Sequence, residues 1–125
     1  MTENEIGKII VNSALHVHRN LGAGLLESAY QACLKYELRK SDLFVESEVG
    51  LPVVYEEVKL DCGYRIDLWI ERNVIIEIKA VDSLNDIHLA QILTYLKLSG
   101  NKLGFLIHFN VPLIKNGIRR VVNNL

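Results

Sequence analysis

From Tyr64 to Ala80 apolar and polar residues alternate with a period of two. Ile66, Leu68 and Ile70 interleave with Arg65, Asp67 and Trp69. Val74, Ile76, Ile78 and Ala80 then interleave with Ile75, Glu77 and Lys79. This pattern predicts two strands. Glu71, Arg72 and Asn73 between them predict a tight turn, with Asn73 suited to a left-handed conformation. Elsewhere the spacing is helical. Ile6, Ile9, Ile10, Val17 and Leu21 form one stripe of a helix over 3–20, with Ser13 and Ala14 as its small positions, and Thr2 and Glu5 make a capping box at its start. Leu21-Gly22-Ala23-Gly24 ends it. A second helix is predicted over 25–40, with Leu26, Tyr30, Cys33, Leu34 and Leu38 as its stripe. A third is predicted over 83–99, with Leu89, Ile92, Leu93 and Leu96 facing a core. Residues 43–60 are strand-rich; Gly50 and Pro52 mark a bend, Glu46 and Glu48 a solvated face, and Glu56-Glu57 a turn. Gly100 is a helix C-cap, and 102–109 predicts a buried strand parallel to the one carrying Glu77, reached by a right-handed crossover. A short strand over 118–122 completes one α/β domain spanning 1–125.

The hairpin carries the chemistry. Centred on Arg72, it places Asp67 opposite Glu77, with Cβ atoms ~5 Å apart, and Lys79 on the same face. The opposite face, from Ile66 to Ala80, is apolar and packs a core. Two readings of the charged face stand side by side. In one, Lys79 screens two acids on a surface ladder, an arrangement worth little. In the other, the acids hold a cation: carboxylate oxygens are what Mg²⁺ takes, a bound water becomes the nucleophile, and Lys79 orients it or stabilises an oxyanion.

Two further features border this hairpin. At about 100° per residue, Glu27 falls in line with Leu34 and Leu38, inside the apolar stripe of its helix. It either satisfies free amides of the first turn or needs a partner. Gln91 and Tyr95, four apart, share a side of the third helix with His88 and read as its polar outer face.

Bulk composition narrows the partners. The 125 residues carry a formal net charge of −1. A cationic nucleic-acid coat is absent, so any DNA contact is local; Lys115, Arg119 and Arg120 are the one basic cluster. Cys33 and Cys62 have no metal-ligand spacing and predict reduced thiols, hence a cytoplasmic location, with Cys33 as a core residue. His16 and His18 are two apart and predict surface or helix-end positions. MTENEIGK is not a signal peptide, and no apolar run approaches membrane-spanning length.

Asp67, the following turn and Glu77-Ile78-Lys79 resemble the D…(D/E)-x-K core of the PD-(D/E)XK nuclease superfamily, although Ile66 stands in place of the proline of that name. Gly24-Leu25-Leu26-Glu27-Ser28-Ala29-Tyr30 is similar to the signature of the GxxExxY proteins grouped with that superfamily. The likeness also takes in HRNLGAGLLESAY, VKLDCGYRIDL, IIEIKAVDSL and HLAQILTYLKLSG. Ala23 replaces the proline expected between Gly22 and Gly24, which bears on turn rigidity. Gln91-Ile92-Leu93-Thr94-Tyr95 looks like the Q-x-x-x-Y element of RecB-like nucleases, where the pair points toward the active site and the nucleic-acid strand.

The resemblance implies a restriction-endonuclease-like core, a mixed central sheet flanked by helices. It implies a phosphodiester hydrolase using Mg²⁺ or Mn²⁺, held by Asp67, Glu77, the Ile78 carbonyl and Glu27. Lys79, Gln91 and Tyr95 complete the catalytic set. The partner implied is nucleic acid, DNA foremost and no membrane, and a homodimer is compatible with the habit of small nucleases. The alternative is a non-catalytic nucleic-acid-binding or protein-interaction module on the same scaffold; the near-neutral charge and the lack of a separate recognition domain favour it, and the intact Asp67, Glu77, Lys79 set opposes it.

Overall fold

Thr2 starts the first helix as its spacing predicts. Its hydroxyl accepts from the Glu5 N–H at 3.2 Å, and Glu5 Oε1 accepts from the Thr2 N–H at 2.9 Å. Both interactions hold the Glu5 carboxyl below its usual range. In this computed structural model, which describes residues 1–125, the helix α1 (Glu3–Leu21) buries Ile6, Ile10, Ala14 and Val17. Its end departs from expectation. Leu21 is exposed. His18 takes the helix-end position expected of it, in the last turn, but is buried there, and its Nε2 donates to the Val111 carbonyl at 2.8 Å.

Helix α2 (Glu27–Lys40) buries Tyr30, Leu34 and Leu38. It begins two residues later than predicted. Leu26 is its extended N-cap residue and is exposed, so it leaves the stripe. The Tyr30 ring stacks on Phe109, with centroids 4.4 Å apart.

Five strands form the main sheet: β1 (Val45–Gly50), β4 (Arg65–Ile70), β5 (Val74–Lys79), β6 (Leu103–His108) and β7 (Ile118–Val122). They lie in the order β1-β4-β5-β6-β7. Only β5 and β6 are parallel; the other neighbours are antiparallel. β2 (Val53–Tyr55) and β3 (Val58–Leu60) make a separate two-stranded hairpin. The crossover between β5 and β6 runs through α3 (Asp86–Ser99), capped by Asn85 and ended by Gly100 at φ 74°. The architecture is the expected one, a mixed sheet flanked by three helices.

The central hairpin closes differently from the sequence expectation. Glu71 and Arg72, not Asn73, take the left-handed conformation, with φ of 53° and 54°. Two positive φ values give the backbone twist that suits a tight hairpin. Strain at two non-glycine residues is offset by side chains. Arg72 lies over the Trp69 ring at 4.2 Å and pairs with Glu46 at 2.6 Å, while Glu71 Oε2 accepts from the Phe44 N–H at 2.7 Å. Glu46 is therefore an anchored residue, not a solvated one.

Both faces of the sheet are packed. Leu68, Ile70, Val74, Ile76 and Ile78 join α1 and α2 in the larger cluster. Ile75, Ile92, Tyr95, Leu96 and Leu106 form a second one under α3. Ile66 belongs to this second cluster and not to the face of Leu68, so alternation breaks at Asp67 between them. The charged side of the hairpin is thus a polar end on an otherwise buried face. That follows from β5 being a central strand with a helix over each side.

Candidate active site

The register of β4 and β5 runs Ile70↔Val74, Trp69↔Ile75, Leu68↔Ile76. It is the register expected from centring on Arg72, but the backbone ladder stops one step short of the carboxylates. Side chains take over there. Asp67 Oδ2 accepts from the Ile78 N–H at 2.8 Å, and Glu77 Oε1 accepts from the Asp67 N–H at 3.3 Å. Each acid is held by the other strand's backbone or by its own partner's, so the pair is fixed in place.

Burial sets the electrostatics. Glu77 is 4% exposed. Desolvation, and then the charge of Asp67, push its carboxyl up to about 9. Asp67 is also raised, first by burial; the Ile78 N–H opposes that shift, and the nearby Glu48 carboxylate adds to it. Lys79, half-buried at the end of β5, lowers both acids. Two carboxylates in a low-dielectric place repel, and the arrangement favours a proton or a cation between them. Oxygen donors of this kind suit a hard divalent ion.

Glu27, at the first position of α2, is in line with Leu34 and Leu38 but lies beyond the buried part of their stripe and is exposed. Its Oε2 accepts from the Ala80 N–H at 3.2 Å, one residue past Lys79. Asp67, Glu77 and Glu27 do not gather into a three-carboxylate cluster. The turn before Glu27 is fixed by Tyr30. Its hydroxyl donates to the Gly22 carbonyl at 2.7 Å and accepts from the Leu25 N–H at 3.1 Å. Gly24 takes φ 99°, which a side chain rarely tolerates. In the run Gly24 to Tyr30, then, glycine makes the turn, tyrosine locks it, and glutamate ties it to the exit of β5.

Gln91 Nε2 donates to the Tyr95 hydroxyl at 3.1 Å. Tyr95 is buried in the second cluster instead of lying on a polar outer face. Its hydroxyl is raised, first by burial and then, against the Gln91 bond, by the charges of Glu77, Asp67 and Tyr64. The pair therefore borders the carboxylates.

Three residues join this neighbourhood without having been singled out by sequence spacing. Glu48 is the residue skipped in the β1–β4 register, where Asp67 would be its partner, and it takes φ 53°. His108 pairs with Lys79 across β5 and β6, and its Nε2 donates to the Val81 carbonyl at 2.6 Å. Tyr64 meets Tyr95 edge-on at 6.2 Å. For Glu48 the missing signal was the pairing of β1 with β4; for His108, whose strand was expected beside β5, it was the register that sets it against Lys79. For Tyr64 its place three residues before Asp67 was a usable cue. The basic cluster is dispersed into local roles: Arg119 bonds the Asn116 and Ile118 carbonyls and Arg120 bonds Asn4. No helix is long and apolar enough to cross a membrane.

Comparison with curated proteins and with solved structures gave no match. A family model for the PD-(D/E)XK nuclease superfamily matches residues 4–121. That span holds the whole sheet but for the last residue of β7, and with it the paired acids and the lysine. The chain belongs to the PD-(D/E)XK nuclease superfamily.

Proposed function

We propose that the chain is a metal-dependent nuclease that hydrolyses phosphodiester bonds in nucleic acid, DNA foremost, with residues 1–125 acting as one domain. The observation that carries the reading is the Asp67–Glu77 pair. A buried acid, Glu77, and a partly buried one, Asp67, are held within reach of each other where the ladder ends, with Lys79 two residues on. A structural ladder has no need to keep two repelling carboxylates there.

Asp67 and Glu77 would hold Mg²⁺ or Mn²⁺ through their oxygens, with the Ile78 carbonyl as a further donor. Such an ion, when bound, lowers the pKa of a water and offsets charge building on the phosphate. Lys79 stabilises that charge or orients the attacking water. Gln91 and Tyr95 border the carboxylates and position the strand of substrate. Glu27 holds the exit of β5 through Ala80, and so holds Lys79 in place; it reaches the ion only by exchanging that bond. Within the superfamily, the Gly24, Glu27, Tyr30 arrangement favours membership of the GxxExxY proteins.

The test is cleavage of single- and double-stranded DNA and RNA with Mg²⁺ and Mn²⁺, using Lys79→Ala and Glu77→Gln as controls. Metal-dependent cleavage lost in both variants is the expected result. Intact substrates at high enzyme concentration would leave a binding module on a nuclease scaffold, and equal cleavage by the variants would place any activity elsewhere.

A further inference from the structure

An open groove of about 470 Å³ runs along α3, with walls that include Val53, Tyr64, Ile87, Thr94 and Tyr95, and Tyr95 lies within range of the charges of Glu77 and Asp67. None of its lining residues is charged. Tyr64 and Ile87 are 45% and 68% exposed. The Tyr64 and Tyr95 rings meet at 62°, and the exposure of Tyr64 leaves ring surface open to a planar ligand. Val53 opens the β2–β3 hairpin, and Val54, Tyr55, Val58 and Leu60 on that hairpin are exposed as well.

The groove is continuous with the candidate active site. Gln91 and Tyr95 belong to both. Whatever occupies it therefore lies alongside the bond held at Asp67 and Glu77. The chemistry of the lining selects among substrates. A duplex keeps its bases stacked on each other and presents two phosphate strands, which call for several cations. The groove has none, and the chain as a whole carries a net charge of −1. An unpaired base needs an aromatic face and an apolar wall, and every base has a π-face to offer.

We propose that this groove seats an unpaired nucleobase beside the scissile phosphate, through stacking on Tyr64, and that the substrate is accordingly a single strand. The inference rests on the nuclease reading of Asp67, Glu77 and Lys79 and adds the substrate class to it. Volume agrees: ligand pockets span about 300–1,000 Å³.

The experiment measures binding apart from cleavage. Full-length Glu77→Gln, without divalent cation, is titrated into a fluorescent oligothymidine of about 12 nucleotides and into a duplex of the same length, with binding read as anisotropy. Tyr64→Ala and Tyr64→Phe are added in the same background. Tyr64 is exposed in a loop, so neither change touches a core, and circular dichroism checks this. The single strand is expected to bind at least about ten-fold more tightly than the duplex, Tyr64→Ala to weaken it by about ten-fold, and Tyr64→Phe to preserve it, as stacking requires. Ile87→Ser, on the facing wall, is expected to weaken it in the same direction. Equal binding of duplex, or Tyr64→Ala binding like its parent, overturns the proposal. So does a shift from dimer to monomer on Tyr64→Ala with no change in oligonucleotide affinity, which would make the groove a contact between copies of the chain. Ring-dependent binding with no cleavage by wild type keeps the subsite and removes the nuclease reading. Cleavage by wild type that Tyr64→Ala leaves unchanged does the reverse.

Discussion

Asp67 Oδ2 accepts the Ile78 N–H at 2.8 Å, a bond that an unbroken ladder would give to a backbone carbonyl. A side chain thus does structural and chemical duty at once, and the two can be separated. Asp67→Asn keeps an acceptor oxygen for Ile78 and removes the charge that repels Glu77. Asp67→Ala leaves the amide of a buried residue without a partner, at about 1–3 kcal/mol. Urea denaturation without metal is expected to find Asp67→Asn at least as stable as wild type and Asp67→Ala below it by roughly that amount. Cleavage is expected to disappear in both. Equal stability of the two variants would show that the Ile78 bond is dispensable.

The raised carboxyl of Glu77 makes a pH prediction whose sign runs against the usual carboxylate. Its value is about 9 in the fold against 4.5 for the free group. The folded state then holds a proton that the unfolded state has lost. The stabilisation is complete below 4.5 and declines as pH rises toward 9, by at most about 1.4 kcal/mol per pH unit. Asp67, shifted in the same direction, adds to the decline. Metal-free wild type is expected to lose stability between pH 5 and pH 9 in thermal melts, and Glu77→Gln to flatten that slope. A flat wild-type profile would mean that water reaches the pair.

A cation replaces that proton. Its affinity is expected to rise with pH, because binding displaces a proton from the pair. Mn²⁺ added at pH 8 is expected to raise the melting temperature of wild type, by about 3–6 °C for each kcal/mol of binding energy in a chain of this size. Neither Asp67→Asn nor Glu77→Gln should respond. A response retained in both would locate the ion elsewhere.

The hairpin was legible because its period of two and its turn are local properties. The placement of its charged residues was legible for the same reason: Asp67, Glu77 and Lys79 are located by counting from Arg72. Glu27 lies in line with Leu34 and Leu38 as the spacing predicts, but its place at the very start of the helix leaves it exposed. With Leu26 as the cap, Glu27 opens the helix and reaches Ala80, while Tyr30, Leu34 and Leu38 alone form the buried stripe. Tyr95 carries two expectations, a polar outer face from its spacing with Gln91 and His88 and a place toward the active site from the Q-x-x-x-Y resemblance; its burial overturns the first. The sheet beneath α3 is wide enough to bury it beside Ile92 and Leu96. Glu48 reads from spacing as one of a solvated pair with Glu46, because only the pairing of β1 with β4 brings it to Asp67. Local pattern thus identifies what the strands carry, and non-local pairing decides which side chains surround it.

Tyr30 is expected to matter more through its hydroxyl than its exposed surroundings suggest. The ring is buried against Phe109, and the hydroxyl spans the turn from Gly22 to Leu25. Tyr30→Phe keeps the stacking and removes both bonds, for an expected loss of about 1–3 kcal/mol in denaturant melts. Because that turn delivers Glu27 to Ala80, cleavage should fall as well, and Glu27→Gln, which keeps an acceptor oxygen for Ala80, should fall less than Glu27→Ala. If Tyr30→Phe melts like wild type, the turn is held by Gly24 and helix packing alone.

Gly117 tests the support behind Lys79. A Cβ at Gly117 would run into the His108 carbonyl, a backbone atom that cannot swing aside. His108 also receives its own amide bond from the same residue, its N–H donating to the Gly117 carbonyl at 2.8 Å. The imidazole of His108 holds Val81, and the Phe109 N–H donates to the Lys79 carbonyl at 3.0 Å. A shift of the loop before β7 is therefore passed to the end of β5. Gly117→Ala is expected to cost about 2–3 kcal/mol, within the range for forced overpacking, and to lower cleavage further than the stability loss explains at a temperature where the variant is folded. Gly100→Ala, at the C-terminal end of α3, is the comparison. Its Cβ meets nothing, and its penalty comes from φ 74° alone, so about 1 kcal/mol is expected for it. Denaturant melts of the two variants, read beside their single-turnover rates, separate a clash that displaces Lys79 from a strained turn that does not; equal losses in both would sever the link between the β7 loop and the site.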